Sequence, residues 1–342
     1  MTGQTSHEII LHNFASSPFS EKIRLIFGMK GLSWRSVEIP MMLPKPDLMP
    51  LTGGYRKTPV MQIGADIFCD TQIIIRELER RFPDPDLMPR GKGLPYGIGF
   101  WVDRPFFMAT VPVIFAEVGD ALPEAFKQDR QAMSGNFSVA AMKAAAPFMR
   151  DQWRAHAGFL AEHLADGRAF LLGDNPSVMD AHGYMNLWFM KGAVPDIAES
   201  LLAEWPKLGF WYARLAAIGH GTMTPMEAHE ALEIAHAASP EAQRRDDPHE
   251  PRGLKPGDRV SVAADDYGRD AVAGEIIFTT AHEIAILRND PAVGAAAVHF
   301  PRAGFVVTPL YRRAGPASAR APASAVSGNR DKNVLSPSGN GC

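Results

Sequence analysis

"ASSPFSEKIRLIFGMKG", residues 15–31, is the stretch on which the fold turns. The apolar run just before it, "EIILHNF" at 8–14, reads as a strand over residues 8–13 that stops abruptly at a turn. Residues 18–30 then read as a helix, because Phe19, Ile23 and Phe27 lie four apart and share one face. Ser17 is placed to cap that helix, Pro18 suits its first position, and Gly31 suits its end. "SWRSVEI" at 33–39 is a second strand, parallel to the first if the helix between them is a crossover.

The pattern continues outward from this unit. Residues 44–54 are a Pro- and Gly-rich connection with room for a short helix at most. "PVMQI" and "DIFCD" flank Gly64-Ala65, which predicts a tight hairpin. "DTQIIIRELERRF" at 70–82 carries a helical apolar period and stops at Pro83. Residues 1–83 are therefore expected to form one α/β domain with helices covering a four-stranded sheet. Residues 95–238 change character: helical periods recur in 95–118, 137–165, 178–192, 198–218 and 225–238, which predicts an all-helical domain. Ser177 and Asp180 have the spacing of a capping box at its best-marked helix start. Residues 239–252 are charged and aperiodic, as in a linker. Alternation returns in 253–313, which predicts a small β barrel or sandwich of four or five strands. Residues 314–342 lack aromatic residues and are rich in Ala, Ser, Gly and Pro, as in a disordered tail. The fold class expected is α+β multidomain.

Composition excludes several functional classes. The 342 residues carry a formal net charge of -3, so neither a nucleic-acid footprint nor a polybasic membrane patch is implied. With two cysteines, Cys69 and Cys342, no disulfide framework is expected to hold the fold. The first residues lack the pattern of a signal peptide, and the most apolar stretch is broken by Asp103, Arg104 and prolines. A cytoplasmic protein without membrane association is expected. The eleven histidines are scattered and suggest no metal site.

Three points can carry chemistry. Ser17 stands at a helix N-terminus, where free N–H groups and the helix dipole favour an anion. A thiolate placed there would accept a bond from the hydroxyl, and its pKa would fall. No base neighbours Ser17 in sequence, so a donor role suits it better than a nucleophilic one. Ser16 and Ser20 are alternatives, and simple capping is the bland reading. Pro59 precedes a strand; a cis Thr58–Pro59 bond would bend the chain and offer the backbone of Val60 to an extended ligand. Asp70 and Thr71 open a helix after a strand. They are either caps or a holder for the carboxylate and amine of a peptide-like ligand.

Taken in order, "SPFSEKIRLIFGMKGLSW", "RKTPVMQIG", "IFCDTQIIIRELERRFP", "NPSVMDAHGY" and "EWPKLGFWYARL" resemble the cytosolic glutathione S-transferases. The resemblance covers about two thirds of the chain. It implies a thioredoxin-like first domain, a helical second domain and a homodimer. Residues 253–313, which resemble an SH3-like barrel at "KPGDRVSV", are an addition to that plan. The resemblance further implies glutathione as co-substrate and an apolar electrophile as its partner. Ser17 falls on the catalytic serine of serine-type members, which would leave no dithiol chemistry. Pro59 falls on the cis-proline, with Thr58 and Val60 beside the cysteinyl backbone. Asp70 and Thr71 fall on the pair that holds the γ-glutamyl end, with Asp one methylene shorter than the usual Glu. Trp101, Arg104 and Phe107, three apart on the first helix of the second domain, would line the acceptor pocket; packing between domains is their bland alternative. A non-catalytic scaffold and a glutathione-dependent isomerase or lyase remain the rivals.

Overall fold

The computed structural model describes residues 8–310. The proposed tail at 314–342 and Cys342 lie outside them. The opening unit forms as its periods dictate. Strand β1 (Ile10–Asn13) leads into helix α1 (Pro18–Met29), which returns to β2 (Ser33–Glu38) parallel to β1. Short helix α2 (Met49–Thr52) precedes β3 (Val60–Ile63), which pairs antiparallel with both β1 and β4 (Asp66–Cys69). Gly64 adopts φ 58° in the β3–β4 turn, a conformation that favours glycine. Helix α3 (Thr71–Arg81) closes the unit.

The helical region is more finely divided than its periods suggest. It runs α4 (Gly93–Trp101), a π-helical turn (Val102–Phe106), α5 (Phe107–Val118), α6 (Glu124–Ser134), α7 (Val139–His163), α8 (Val178–Ala193), α9 (Pro195–Leu202) and α10 (Pro206–Ile218). Helix α6 falls in a stretch with no period of its own, and one expected helix over 198–218 is two, divided before Pro206. The continuous run Gly93–Ala121 is long and apolar enough to cross a membrane by composition, yet much of it is buried within the protein, where α5 packs on α7 and α8. The capping box is present at α8: the Asp180 carboxylate accepts from the Ser177 backbone N–H at 2.9 Å and from its hydroxyl at 2.6 Å. It also accepts from Leu171 N and Trp211 Nε1, at 2.8 and 2.7 Å, so one buried carboxylate fixes three segments.

Two expectations about the rest of the chain are corrected. Residues 225–238 are not part of the helical layer. After α10 the chain crosses back over α1, where a side chain at Gly28 would collide with the Gly219 carbonyl. It then adds β5 (Thr222–Pro225) in parallel to the free edge of β2, and α11 (Ala228–Ala237) packs on the opposite face of the sheet from α1. Nor do the C-terminal strands stand apart beyond a linker. Strands β6 (Arg259–Ala264), β7 (Val272–Thr279), β8 (Glu283–Asp290), β9 (Gly294–Pro301) and β10 (Phe305–Pro309) pair in the order β10-β6-β7-β8-β9. Strand β9 then pairs in parallel with β4, aligning Ile67 with Val298, so one sheet of ten strands runs from β10 to β5. Among the described residues no ladder joins β9 to β10, because the edge of β9 away from β8 is taken by β4. The residues read as linker are fixed too: Glu241 N and Ala242 N donate to Asp66 at 2.6 and 3.3 Å.

The junction of β4 and β9 is also a charge site. His299 is buried, stacked on Phe68 with ring centroids 4.4 Å apart, and bonded to Asp66 at 2.9 Å and Glu283 at 2.7 Å. Burial alone would lower its pKa, but the two carboxylates outweigh burial and raise it to about 9.

Candidate functional site

The turn between β1 and α1 is held from beneath by Arg24. Its guanidinium donates to Asn13 Oδ1 at 2.9 Å, to the Ala15 carbonyl at 2.9 Å and to Glu21. This fixes the backbone that presents Ser17. The Ser17 side chain caps α1 by accepting from Ser20 N at 3.1 Å, with Pro18 at the first helical position. Among the described residues no acceptor takes its own hydroxyl proton. Ser16 is exposed and bonds Met41 Sδ, whereas Ser20 is fully buried. Ser17 alone of the three therefore combines a buried helix terminus with a cavity wall, because it lines a chamber of about 520 Å³. Ser16 lines the same chamber from its exposed side.

The Thr58–Pro59 bond is cis. Thr58 lines the large chamber, and Thr58 and Pro59 together line a smaller cavity of about 60 Å³. Val60 lines neither; it is fully buried between His12 and Cys69 in the ladder. The chain therefore turns into the sheet one residue earlier than the sequence reading requires, and Lys57, Thr58 and Pro59 face the cavities instead.

Asp70 and Thr71 both line the small cavity. Asp70 is the N-cap of α3, accepting from Gln72 N at 2.9 Å, and it adopts φ 93°. Among the described residues it is the one non-glycine at positive φ. Such strain persists only where surrounding structure enforces it, and it clusters at functional sites. Burial raises the Asp70 carboxyl to about 6. Lys22, fully buried on α1, pairs with Asp103 at 2.7 Å, and Asp103 lies 3.5 Å from Thr71 Oγ1. Asp103 is a site residue that the sequence reading missed; the only hint was an acid interrupting an otherwise apolar helix.

The three candidates for the acceptor pocket do not stay together. Phe107 lines the large chamber and packs edge-on against Phe19, with centroids 4.8 Å apart. Arg104 lines the small cavity. Trp101 lines neither and instead donates to His156 at 3.1 Å beside Phe106. The π-helical turn explains the separation. Its wider turn, with Pro105 inside it, rotates residues that a regular helix would keep on adjoining positions.

The small cavity is closed by residues from the C-terminal strands. Between β6 and β7 the chain lays Asp265, Asp266, Tyr267 and Gly268 across the site. Arg104 pairs with Asp265 at 2.6 Å, and Lys57 pairs with Asp266 at 2.5 Å. The Lys57 ammonium lies 4.2 Å from the centre of the Tyr267 ring, and Gly268 N donates to the Met133 carbonyl at 2.8 Å. Ala303, Gly304 and Phe305 complete the wall. No sequence signal marked these residues, because the turn becomes part of the site only through the β4–β9 pairing.

Cations gather on the other side of Lys57. Lys45 is buried and donates to the Arg56 carbonyl at 3.0 Å and to Thr58 Oγ1 at 3.1 Å. Burial, reinforced by Arg130 and Arg56, lowers its pKa to about 8. Arg56 and Arg130 share Asp129.

Comparison with known proteins bears on the fold. Residues 11–86 match the family model described as the glutathione S-transferase N-terminal domain. A curated relative, glutathione S-transferase U4 of Arabidopsis thaliana, is 21% identical over 87 residues, 25% of this chain; the chain spans only 39% of that protein. The crystal structure of a GST-like protein from Pseudomonas syringae is 37% identical, with a TM-score of 0.74 over 89% of this chain and 99% of that one. A match that wide cannot stop at the helical layer, so the C-terminal strands belong to the shared architecture. On that identity and coverage, the chain belongs to the glutathione S-transferase-like family.

Proposed function

We propose that this protein is a glutathione transferase in which Ser17 holds the glutathione sulfur as thiolate at the mouth of the apolar chamber. The observation that carries the reading is the position of Ser17: a buried N-cap hydroxyl on the wall of a cavity large enough for a second substrate. A thiol beside that hydroxyl and the N-terminus of α1 ionises more readily, which supplies a nucleophile at neutral pH. Thr58 and Pro59 carry the backbone turn beside the cysteinyl residue, with Val60 held in the sheet behind them. Asp70 and Thr71, joined by Asp103, face the γ-glutamyl end, where two carboxylates suit its ammonium and the start of α3 suits its carboxylate. Phe107 contacts the electrophile, and the shared cavity walls supply proximity. The working unit is a cytoplasmic homodimer, as the family resemblance implies, and the turn between β6 and β7 covers the site.

A second reading rests on one observation. Asp266 and Tyr267 already contact Lys57, and the space beside Asp70 and Thr71 is only about 60 Å³. Glutathione therefore requires the 265–268 turn to move aside; a scaffold that keeps the turn closed has no turnover. Calorimetry with glutathione, followed by a conjugation screen with several electrophiles, separates the two. Binding with turnover supports the transferase. Absence of binding in the full chain supports the scaffold.

A further inference from the structure

The π-helical turn that presents Asp103 and Arg104 is held from outside its own backbone. Pro105 has no N–H, so the turn lacks one internal donor. Helix α8 packs against it, and Asn186 of α8 and Thr110 of α5 are both fully buried there. Asn186 Nδ2 donates to the Val102 carbonyl, at the start of the turn, at 3.1 Å. Thr110 Oγ1 lies 2.9 Å from the Phe106 carbonyl, at the end of the turn, and 3.2 Å from Asn186 Oδ1. One side-chain amide thus spans both ends of the turn. Its base is firm, because His182, one helical turn earlier on α8, packs closely on Gly99 of α4; a Cβ added there would lie 2.8 Å from the imidazole Cε1.

Neither carbonyl depends on the amide for a partner. Val102 O also accepts from Phe107 N–H, and Phe106 O has the Thr110 hydroxyl. An apolar side chain of similar size at 186 would orphan no backbone group, so satisfying the backbone does not account for the amide. What the amide adds is the link between the two ends. Between them stands Asp103, its carboxylate 2.7 Å from Lys22 Nζ and 3.5 Å from Thr71 Oγ1.

We propose that Asn186 is a positioning residue for glutathione: by bridging the π-helical turn it holds the Asp103 carboxylate where the γ-glutamyl ammonium binds. The inference rests on the proposed transferase reading, which brings that ammonium to Asp70 and Asp103. Asn186 itself lines neither cavity and acts through Asp103.

The test is titration calorimetry of the full chain at neutral pH with two probes, glutathione and its deamino analogue glutaryl-cysteinylglycine, which lacks only the ammonium. The parent should bind glutathione roughly ten- to a hundredfold more tightly than the analogue, the range for a hydrogen bond to a charged group. Asn186→Leu should weaken glutathione about tenfold and leave the analogue within about twofold. Thr110→Val, which removes the hydroxyl link and keeps the shape, should give the same selective loss at smaller size, and it decides the matter if Asn186→Leu does not fold. A structural loss would weaken both probes alike, so equal weakening of the two overturns the proposal, as does glutathione binding unchanged from the parent. A parent that binds both probes equally refutes this inference and leaves the transferase reading standing. A parent that binds neither refutes that reading and this inference with it.

Discussion

The buried His299 makes the join between β4 and β9 sensitive to pH in one direction. Its folded pKa of about 9 exceeds the ordinary value of 6.5, so the folded state holds a proton that the unfolded chain releases. The stabilisation is fully present below pH 6.5 and is lost as pH rises through 9. A difference of about 2.5 units at 1.36 kcal/mol each is about 3 kcal/mol. Between these limits the folded chain binds about one more proton, and stability falls by about 1.4 kcal/mol per pH unit from this group. Lys45 acts oppositely: its folded pKa of about 8 lies below its ordinary 10.5, so its contribution to stability grows between those values. A comparison with His299→Gln cancels that second effect, since the glutamine does not titrate and Lys45 is untouched. Urea unfolding of both proteins from pH 6 to 9.5 is the assay. The parent should lose about 3 kcal/mol relative to the variant across the range, most of it between pH 6.5 and 9. Parallel curves would refute the assignment of a charged histidine at the join.

Three further outcomes follow from the site. Ser17→Ala should lower stability by about 1 kcal/mol through the lost cap, and should raise the pKa of bound glutathione thiol; ultraviolet titration paired with pH–rate profiles should show a turnover loss that shrinks at alkaline pH, and an unchanged thiol pKa would leave Ser17 as a cap alone. Asp70→Gly should be more stable than Asp70→Ala by about 1 kcal/mol, because glycine accepts φ 93° and alanine does not; equal urea midpoints would show that the strain is absent. Asp266→Ala combined with Tyr267→Ala should tighten glutathione binding several-fold in calorimetry, since it frees Lys57 from a half-buried pair worth about 1 kcal/mol; unchanged affinity would show that the 265–268 turn does not compete with the ligand.

Local signals carried the sequence reading where it succeeded. The strand–helix–strand opening, the Gly64 hairpin, the Ser17 cap and the Ser177–Asp180 capping box all depend on residues two to four positions apart, and such spacings are visible in one dimension. The same locality misled where geometry departs from a regular helix. Trp101, Arg104 and Phe107 have the right spacing, but a π-helical turn containing Pro105 sends them to three different surroundings.

The sequence by itself determined most of the strands and helices, α6 and β5 excepted, and it placed Ser17, Thr58, Pro59, Asp70 and Thr71 at element ends. Only the tertiary structure decided that the C-terminal strands extend the first sheet instead of standing apart. Asp66 pairs with Ala297 across most of the chain, and a strand's alternation names its buried face but not its neighbour. The parallel pairing is selected by what the folded state buries there, the Asp66–His299–Glu283 bridge and the apolar faces around Val298 and Phe300. That choice in turn brings Asp266 and Tyr267 over Lys57, so the cover of the candidate site is a consequence of long-range packing that no local spacing records.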